Sequence, residues 1–144
     1  MKTLERVKTT FDLLIVTDVH EAYQCESGGR IANIIQIPTF LCHQTDLLES
    51  AAKTGRIINI KKGQFCASSV LVNSAEKVIL AGNLNVMVCE RGTMFGYNDL
   101  IVDTKVTLLH GNHIRGFAHS LLPLTKIIAA CICPLNLWWS QCLK

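Results

Sequence analysis

The nine residues IINIKKGQF, positions 57–65, decide how the rest of the chain is read. Ile57, Ile58 and Ile60 form a β-branched run of the kind found in parallel strands covered on both faces, and the run stops abruptly at Lys61, Lys62 and Gln64. Two adjacent ammonium groups are costly to bury without anionic partners. The residues alone leave two readings open: a buried strand that delivers charge at its C-terminal end toward an anion such as phosphate, or a lysine pair on a solvated loop.

The pattern recurs along the chain. LLIVT at 13–17 runs into Asp18, His20 and Glu21; ANIIQIP at 32–38 carries Gln36 near its end and closes at Pro38; NVMVC at 85–89 runs into Glu90, Arg91 and Gly92. Helical spacing of Leu4, Val7 and Phe11 predicts an amphipathic helix over 2–11. A second helix is expected over 45–54, with Thr45 as N-cap and Gly55 as stop, and a third over 68–81. The third takes Ser68 or Ser69 as cap, Val70, Val72, Ala75, Val78 and Ile79 as core positions, and Gly82 as terminator. The polar stretch containing Ser27, Gly28 and Gly29 is assigned no helix.

Four apolar strands separated by helix-length connections predict an α/β fold with a parallel sheet. Ligands of such sheets bind beyond the carboxyl ends of the strands, where all four strands here turn polar or ionisable. Neither GxGxxG nor GxxxxGK[ST] occurs, so no dinucleotide or P-loop site is expected. The net charge of +3, with no basic run interleaved with aromatics, predicts no nucleic-acid partner. Seven cysteines, an odd number with no CxxC pair, predict reduced thiols and a cytosolic location. Glu5, Lys8 and Asp12 interrupt any signal-peptide core, so no export signal is expected.

Lys61, Lys62 and Arg91 gather positive charge around the neutral hydrogen-bonding groups of Gln36 and Gln64, a combination suited to small phosphorylated substrates. Each charge-assisted contact contributes about 1.5–3 kcal/mol. Asp18, His20 and Glu21 are candidate acids or bases, although Asp18 also fits a loop cap, His20 a core histidine and Arg91 a partner for Glu90. No metal is expected. His20 and His43 lack a spaced partner, and HGNH at 110–113 contains Gly111 and Asn112, which disfavour the helix its ligand spacing requires.

The segments IVTDVHE (15–21), IIQIPTFL (34–41), QTDLL (44–48), INIKKGQF (58–65) and VMVCERGTMFGYNDLIVD (86–103) resemble the successive motifs of the 3-deoxy-D-manno-octulosonate 8-phosphate synthases, also called 2-dehydro-3-deoxyphosphooctonate aldolases. The wording is closest to the plant type. The resemblance implies a partial (β/α)8 barrel, a TIM barrel, in which the four strands correspond to the third to sixth. It implies condensation of phosphoenolpyruvate with arabinose 5-phosphate, without a cofactor, by a self-associating enzyme. Lys61, Gln64 and Arg91 would then contact phosphoenolpyruvate, assisted by Gln36 and the backbone near Thr39 and Phe40. Asp18, His20 and Lys61 would be the catalytic residues. The KKGQF and CERGTMFGYNDL wording speaks against the related synthase that uses erythrose 4-phosphate.

Two departures bear on this expectation. Thr39 stands where the family has alanine, and His43 where it has an arginine that reaches a neighbouring subunit's sugar phosphate. The resemblance covers residues 1–103, giving an expected division into a partial synthase domain and a divergent tail, 104–144. Up to Asp103 there are ten basic and eleven acidic residues; beyond it there are four basic and none acidic. Ala118, His119, Ser120 and Leu121 echo the family's Thr-His-Ser-Leu motif only in letters. The apolar tail, interrupted by Pro123, Lys126 and Pro134, fits an altered reading, a packing segment or membrane association, with no membrane partner expected. The alternative to an active synthase is an inactive half-barrel that keeps a phosphate-binding rim or joins full-length subunits, with open sheet edges that favour association.

Overall fold

The structure is a computed structural model that describes residues 2–90, 92–94 and 101. The chain order is α1 (Lys2–Phe11), β1 (Val16–Asp18), α2 (Ala22–Ile31), β2 (Ile34–Ile37), a 3-10 turn (Thr39–Leu41), α3 (Thr45–Ala52), β3 (Ile57–Lys61), α4 (Ser68–Leu80) and β4 (Val86–Cys89). All strand pairs are parallel, and the sheet order β1-β2-β3-β4 follows the chain. A doubly wound sheet would reverse its order at a switch point, whereas neighbours in sequence that stay neighbours in space are the arrangement of four consecutive strands of a (β/α)8 barrel. The expected α/β partial barrel is therefore what the chain forms. Arg91 and the tail, with His110, His113, His119, Cys131 and Cys133, lie outside the described residues.

Strand alternation sorts the side chains. Ile35, Ile37, Ile58, Ile60 and Val86 pack with Leu47, Leu48, Ala51 and Ala52 of α3 and Leu71, Ala75 and Val78 of α4 in one fully buried cluster. These strand residues face the helices. Positions one step out of phase, including Gln36, Asn59 and Lys61, belong to the opposite face.

The helix α2 corrects the reading of 22–31 as an unassigned polar stretch. Gln24 Oε1 accepts hydrogen bonds from the backbone N–H groups of His20 (2.8 Å) and Glu21 (3.3 Å), fixing the helix start. Glu21 thus occupies the N-cap position of α2. Gly28 and Gly29 lower helix propensity, but both are buried, and the missing side chain of Gly29 lets α2 approach Thr54 beyond the end of α3. A Cβ on Gly28 would lie 3.4 Å from Val19 Cγ1, an ordinary contact; one on Gly29 would lie 3.0 Å from Thr54 Cβ.

Smaller corrections follow from local chemistry. Asp12 takes a left-handed conformation (φ 49°) after α1, so β1 begins at Val16 and Leu14 is exposed. Thr45 is not the cap of α3; Gln44 holds that position, while the Thr45 hydroxyl accepts from Lys77 Nζ at 2.8 Å. Ala67 precedes α4, Ser68 is buried in its first turn, and Leu71 occupies the core where Val70 and Val72 are only half-buried. Gly55 (φ 67°) and Gly82 (φ 94°) terminate α3 and α4 as expected.

The two α2 glycines are expected to respond oppositely to alanine. Gly28→Ala gains helix propensity without a clash and should raise stability by up to about 1 kcal/mol. Gly29→Ala must displace Thr54 and should lower it by about 1–3 kcal/mol. Urea midpoints of the two variants against the parent chain test the pair.

Candidate functional site

Strand register builds a polar row across the non-helical face. Asp18 pairs with Gln36, and Gln36 with Asn59. Gln36 Nε2 donates to Asp18 Oδ1, and Asn59 Nδ2 donates to Gln36 Oε1 at 3.0 Å. Gln36 and Asn59 are buried, so each link replaces water that the sheet has excluded. Asn59 Oδ1 is buried with no hydrogen-bond partner among the described residues. It is an acceptor with capacity for a donor from a bound molecule.

Asn59 was not among the residues singled out from sequence, yet a signal was present. IIQI at 34–37 and IINI at 57–60 place an amide at the same position of two apolar strands. In-register parallel pairing converts that coincidence into contact.

Lys61 lies two residues beyond Asn59, hence on the same face at the carboxyl end of β3, and is half-buried. The ion pairs among the described residues are Arg30–Glu26 and Lys62–Glu90, so no described carboxylate neutralises Lys61. Gln64 follows in the loop, its carbonyl accepting from Met94 N–H at 3.2 Å. Thr39 is buried at the start of the 3-10 turn, whereas Phe40 beside it is exposed. His20 is exposed, which removes the core-histidine reading. The structure thus joins Asp18, Gln36 and Asn59 directly, sets Lys61 on their face, and leaves His20 and Phe40 at the surface beyond the strand ends.

The two lysines separate completely. Lys62 is fully buried, and its ammonium donates to Gly63 O (3.3 Å), Cys66 O (3.3 Å) and Thr93 Oγ1 (2.9 Å), with Glu90 Oε1 at 3.7 Å. The three hydrogen bonds use all three ammonium donors, and Glu90 adds a charge partner. Lys62 is therefore a tie between the β3 and β4 loops, and Lys61 is the cation available at the strand end. The second lysine of the pair resolves the solvated-loop reading as well: neither lysine is fully exposed.

Residues 1–113 match the model of the DAHP synthetase I family. The chain belongs to this family. Among curated relatives, the 2-dehydro-3-deoxyphosphooctonate aldolase of Pisum sativum is 76% identical over 105 residues, covering 73% of this chain and 36% of the pea protein. Aldolase 1 of Arabidopsis thaliana is 73% identical over 105 residues, again 73% of this chain and 36% of the relative. The Fusobacterium nucleatum protein of the same name is 50% identical over 108 residues, 75% of this chain and 39% of the relative. The chain spans little more than a third of these relatives' length.

Membership in the DAHP synthetase I family bears out the resemblance drawn from the motifs, and all four strands fall inside the matched segment. No helix among the described residues is long and apolar enough to cross a membrane. Cys42, His43 and Cys66 bring their side-chain donor atoms within 4.8 Å of one another, so these are residues that could hold a metal ion. Their proximity was hidden in the sequence because Cys66 follows a different strand. Burial pushes the Cys42 thiol above its ordinary pKa, as it does that of Cys25 in α2.

The unlike roles of the lysines are separable by mutation. Lys62→Met leaves the Glu90 carboxylate and two buried carbonyls without their cation and should cost about 3–5 kcal/mol. Lys61→Ala should change stability by no more than about 0.5 kcal/mol. Guanidinium unfolding of both variants measures the difference.

Proposed function

We propose that the strand ends of this chain form part of a site that joins phosphoenolpyruvate to arabinose 5-phosphate, the reaction of the 3-deoxy-D-manno-octulosonate 8-phosphate synthases in Kdo biosynthesis. The observation that carries this reading is the row Asp18–Gln36–Asn59 leading to Lys61, which no carboxylate among the described residues neutralises, inside a segment 76% identical to the pea aldolase. A carboxylate, two amides and a cation on one face suit a ligand with both anionic and hydroxyl groups.

In this reaction the enol carbon of phosphoenolpyruvate attacks the sugar aldehyde, whose oxygen takes a proton as the carbon–carbon bond forms. Water adds at the carbon bearing the phosphate and gives up a proton. The carbon–oxygen bond to phosphate then breaks, leaving a ketone and inorganic phosphate. Lys61, with Gln64 and Arg91, holds the phosphoenolpyruvate anion, and fixed positive charge stabilises negative charge that develops on it. Gln36 and the Thr39–Phe40 turn line the same end. Asp18 and His20 face the reacting carbons and the sugar as proton-handling groups. No cofactor enters the scheme.

The four described cysteines are all free thiols, which supports a cytosolic setting. Among the described residues β1 and β4 each have one unpaired edge, which supports self-association. Residues 104–144 form, in this reading, a tail distinct from the synthase segment 1–103. A second reading is a segment that binds phosphoenolpyruvate through Lys61 without turning it over.

Calorimetric titration with phosphoenolpyruvate, followed by a phosphate-release assay with both substrates, tests the proposal. Binding should weaken about 10- to 150-fold in Lys61→Ala and Arg91→Ala, the equivalent of one lost charge-assisted contact. Phosphate release that either substitution abolishes supports catalysis, and binding without release supports the second reading. Unchanged affinity in Lys61→Ala sinks both.

A further inference from the structure

Three donor side chains from two separate loops, none of them a member of the polar row, converge at one place. Cys42 closes the 3-10 turn after β2, His43 follows it, and Cys66 lies in the loop after β3. Cys42 is fully buried, Cys66 half-buried and His43 exposed. Cys42 Sγ stands 3.6 Å from His43 Nδ1, and all three donor atoms lie within 4.8 Å of one another.

We propose that Cys42, His43 and Cys66 form a binding site for a thiophilic d10 cation of the zinc type, with an open fourth position toward solvent.

The distances suit the ion. With bonds of about 2.3 Å to sulfur and about 2.0–2.1 Å to nitrogen, tetrahedral geometry requires a sulfur–nitrogen edge of about 3.6 Å and a sulfur–sulfur edge of about 3.8 Å. The first matches the observed 3.6 Å, and the second falls within the observed limit. Two sulfurs and one imidazole also select by chemistry: soft thiolates and imidazole favour zinc-type ions, whereas magnesium and calcium require oxygen.

The scaffold fixes both arms of the site before an ion arrives. Lys77 Nζ donates to His43 O at 2.9 Å and to Thr45 Oγ1 at 2.8 Å, pinning the Cys42–His43 backbone to α4. The buried Lys62 ammonium holds the carbonyls of Gly63 and Cys66, and Cys66 N–H closes a turn onto Gly63 O at 3.1 Å. Gly63 supplies the space in which the sulfurs meet. A Cβ there would stand 2.6 Å from Cys66 Sγ and 3.4 Å from Cys42 Sγ. Both thiols lose a proton on binding, so affinity rises with pH and uptake acidifies the solution.

This site does not depend on the aldolase reading, and its test needs no turnover. The full chain, purified without a polyhistidine tag and kept under a phosphine reductant, is titrated with Co2+ as a spectroscopic stand-in for Zn2+. The expected result is one equivalent bound with tetrahedral ligand-field bands and a thiolate-to-cobalt charge-transfer band, displaced by Zn2+. Loss of a residue that merely supports a ligand costs about 10–100-fold in affinity, so His43→Ala should weaken binding by at least about tenfold. Its exposed side chain makes this substitution harmless to folding. Cys42→Ala and Cys66→Ala should abolish the charge-transfer band, while Cys25→Ala and the double variant Cys131→Ser/Cys133→Ser should retain it. Overturning results are an absent charge-transfer band, unchanged affinity in His43→Ala, loss of binding in the Cys131/Cys133 double variant, or a Cys42–Cys66 disulfide that forms readily while the reduced thiols bind no Co2+.

Discussion

In-register parallel pairing is the constraint on which this molecule depends. Because side chains alternate between faces, one register assigns every strand residue either to the helix layer or to the opposite side. Val16, Ile34 and Ile57 share one level of the sheet through their pairings, and Asp18, Gln36 and Asn59 share the level two residues later. A slip of one residue would turn Ile35 and Ile58 away from α3 and α4 and press Gln36 and Asn59 into an apolar layer. The isoleucines of the core therefore hold the polar row in place through the register they share with it.

The loops at the strand ends gain order from cations as well as from the apolar packing of Leu41, Cys42 and Cys66. Lys62 joins the loop after β3 to Glu90 and Thr93 beyond β4, and Lys77 joins α4 to the segment between β2 and α3. The Lys62 ammonium meets carbonyls and a hydroxyl in a buried setting, whereas the Lys77 bonds lie at the surface. This division of labour leaves Lys61 uncommitted among the described ion pairs. The same two ties position Cys42, His43 and Cys66 around Gly63, so the candidate anion site and the candidate cation site share a scaffold while presenting opposite chemistry.

The strands were legible because runs of β-branched residues ended sharply in polar ones, and the motifs of the family lay on those ends. α2 was not legible, because Gly28 and Gly29 are poor helix formers and the close approach of Thr54 to Gly29 appears only in the fold. Tertiary packing overrode local propensity there. Lys61 could be chosen as a site residue, but the fate of Lys62 depends on partners as far along the chain as Thr93. Asn59 resembled an isolated polar interruption until register placed it against Gln36. The Cys42–His43–Cys66 cluster was hidden for the same reason, since its members reach one place only after a strand crossover.

Gln36 is the middle member of a three-residue chain, donating to Asp18 and accepting from Asn59. Its amide must point one way for both bonds to form, so Asp18 on one strand orients Asn59 two strands away. Substitutions at 18, 36 and 59 are consequently epistatic: the effect of each depends on what occupies the other two positions. An amide at 36 that points the other way would set its nitrogen against the Asn59 donor and its oxygen against the Asp18 carboxylate, so the direction of one side chain decides whether both neighbours are matched.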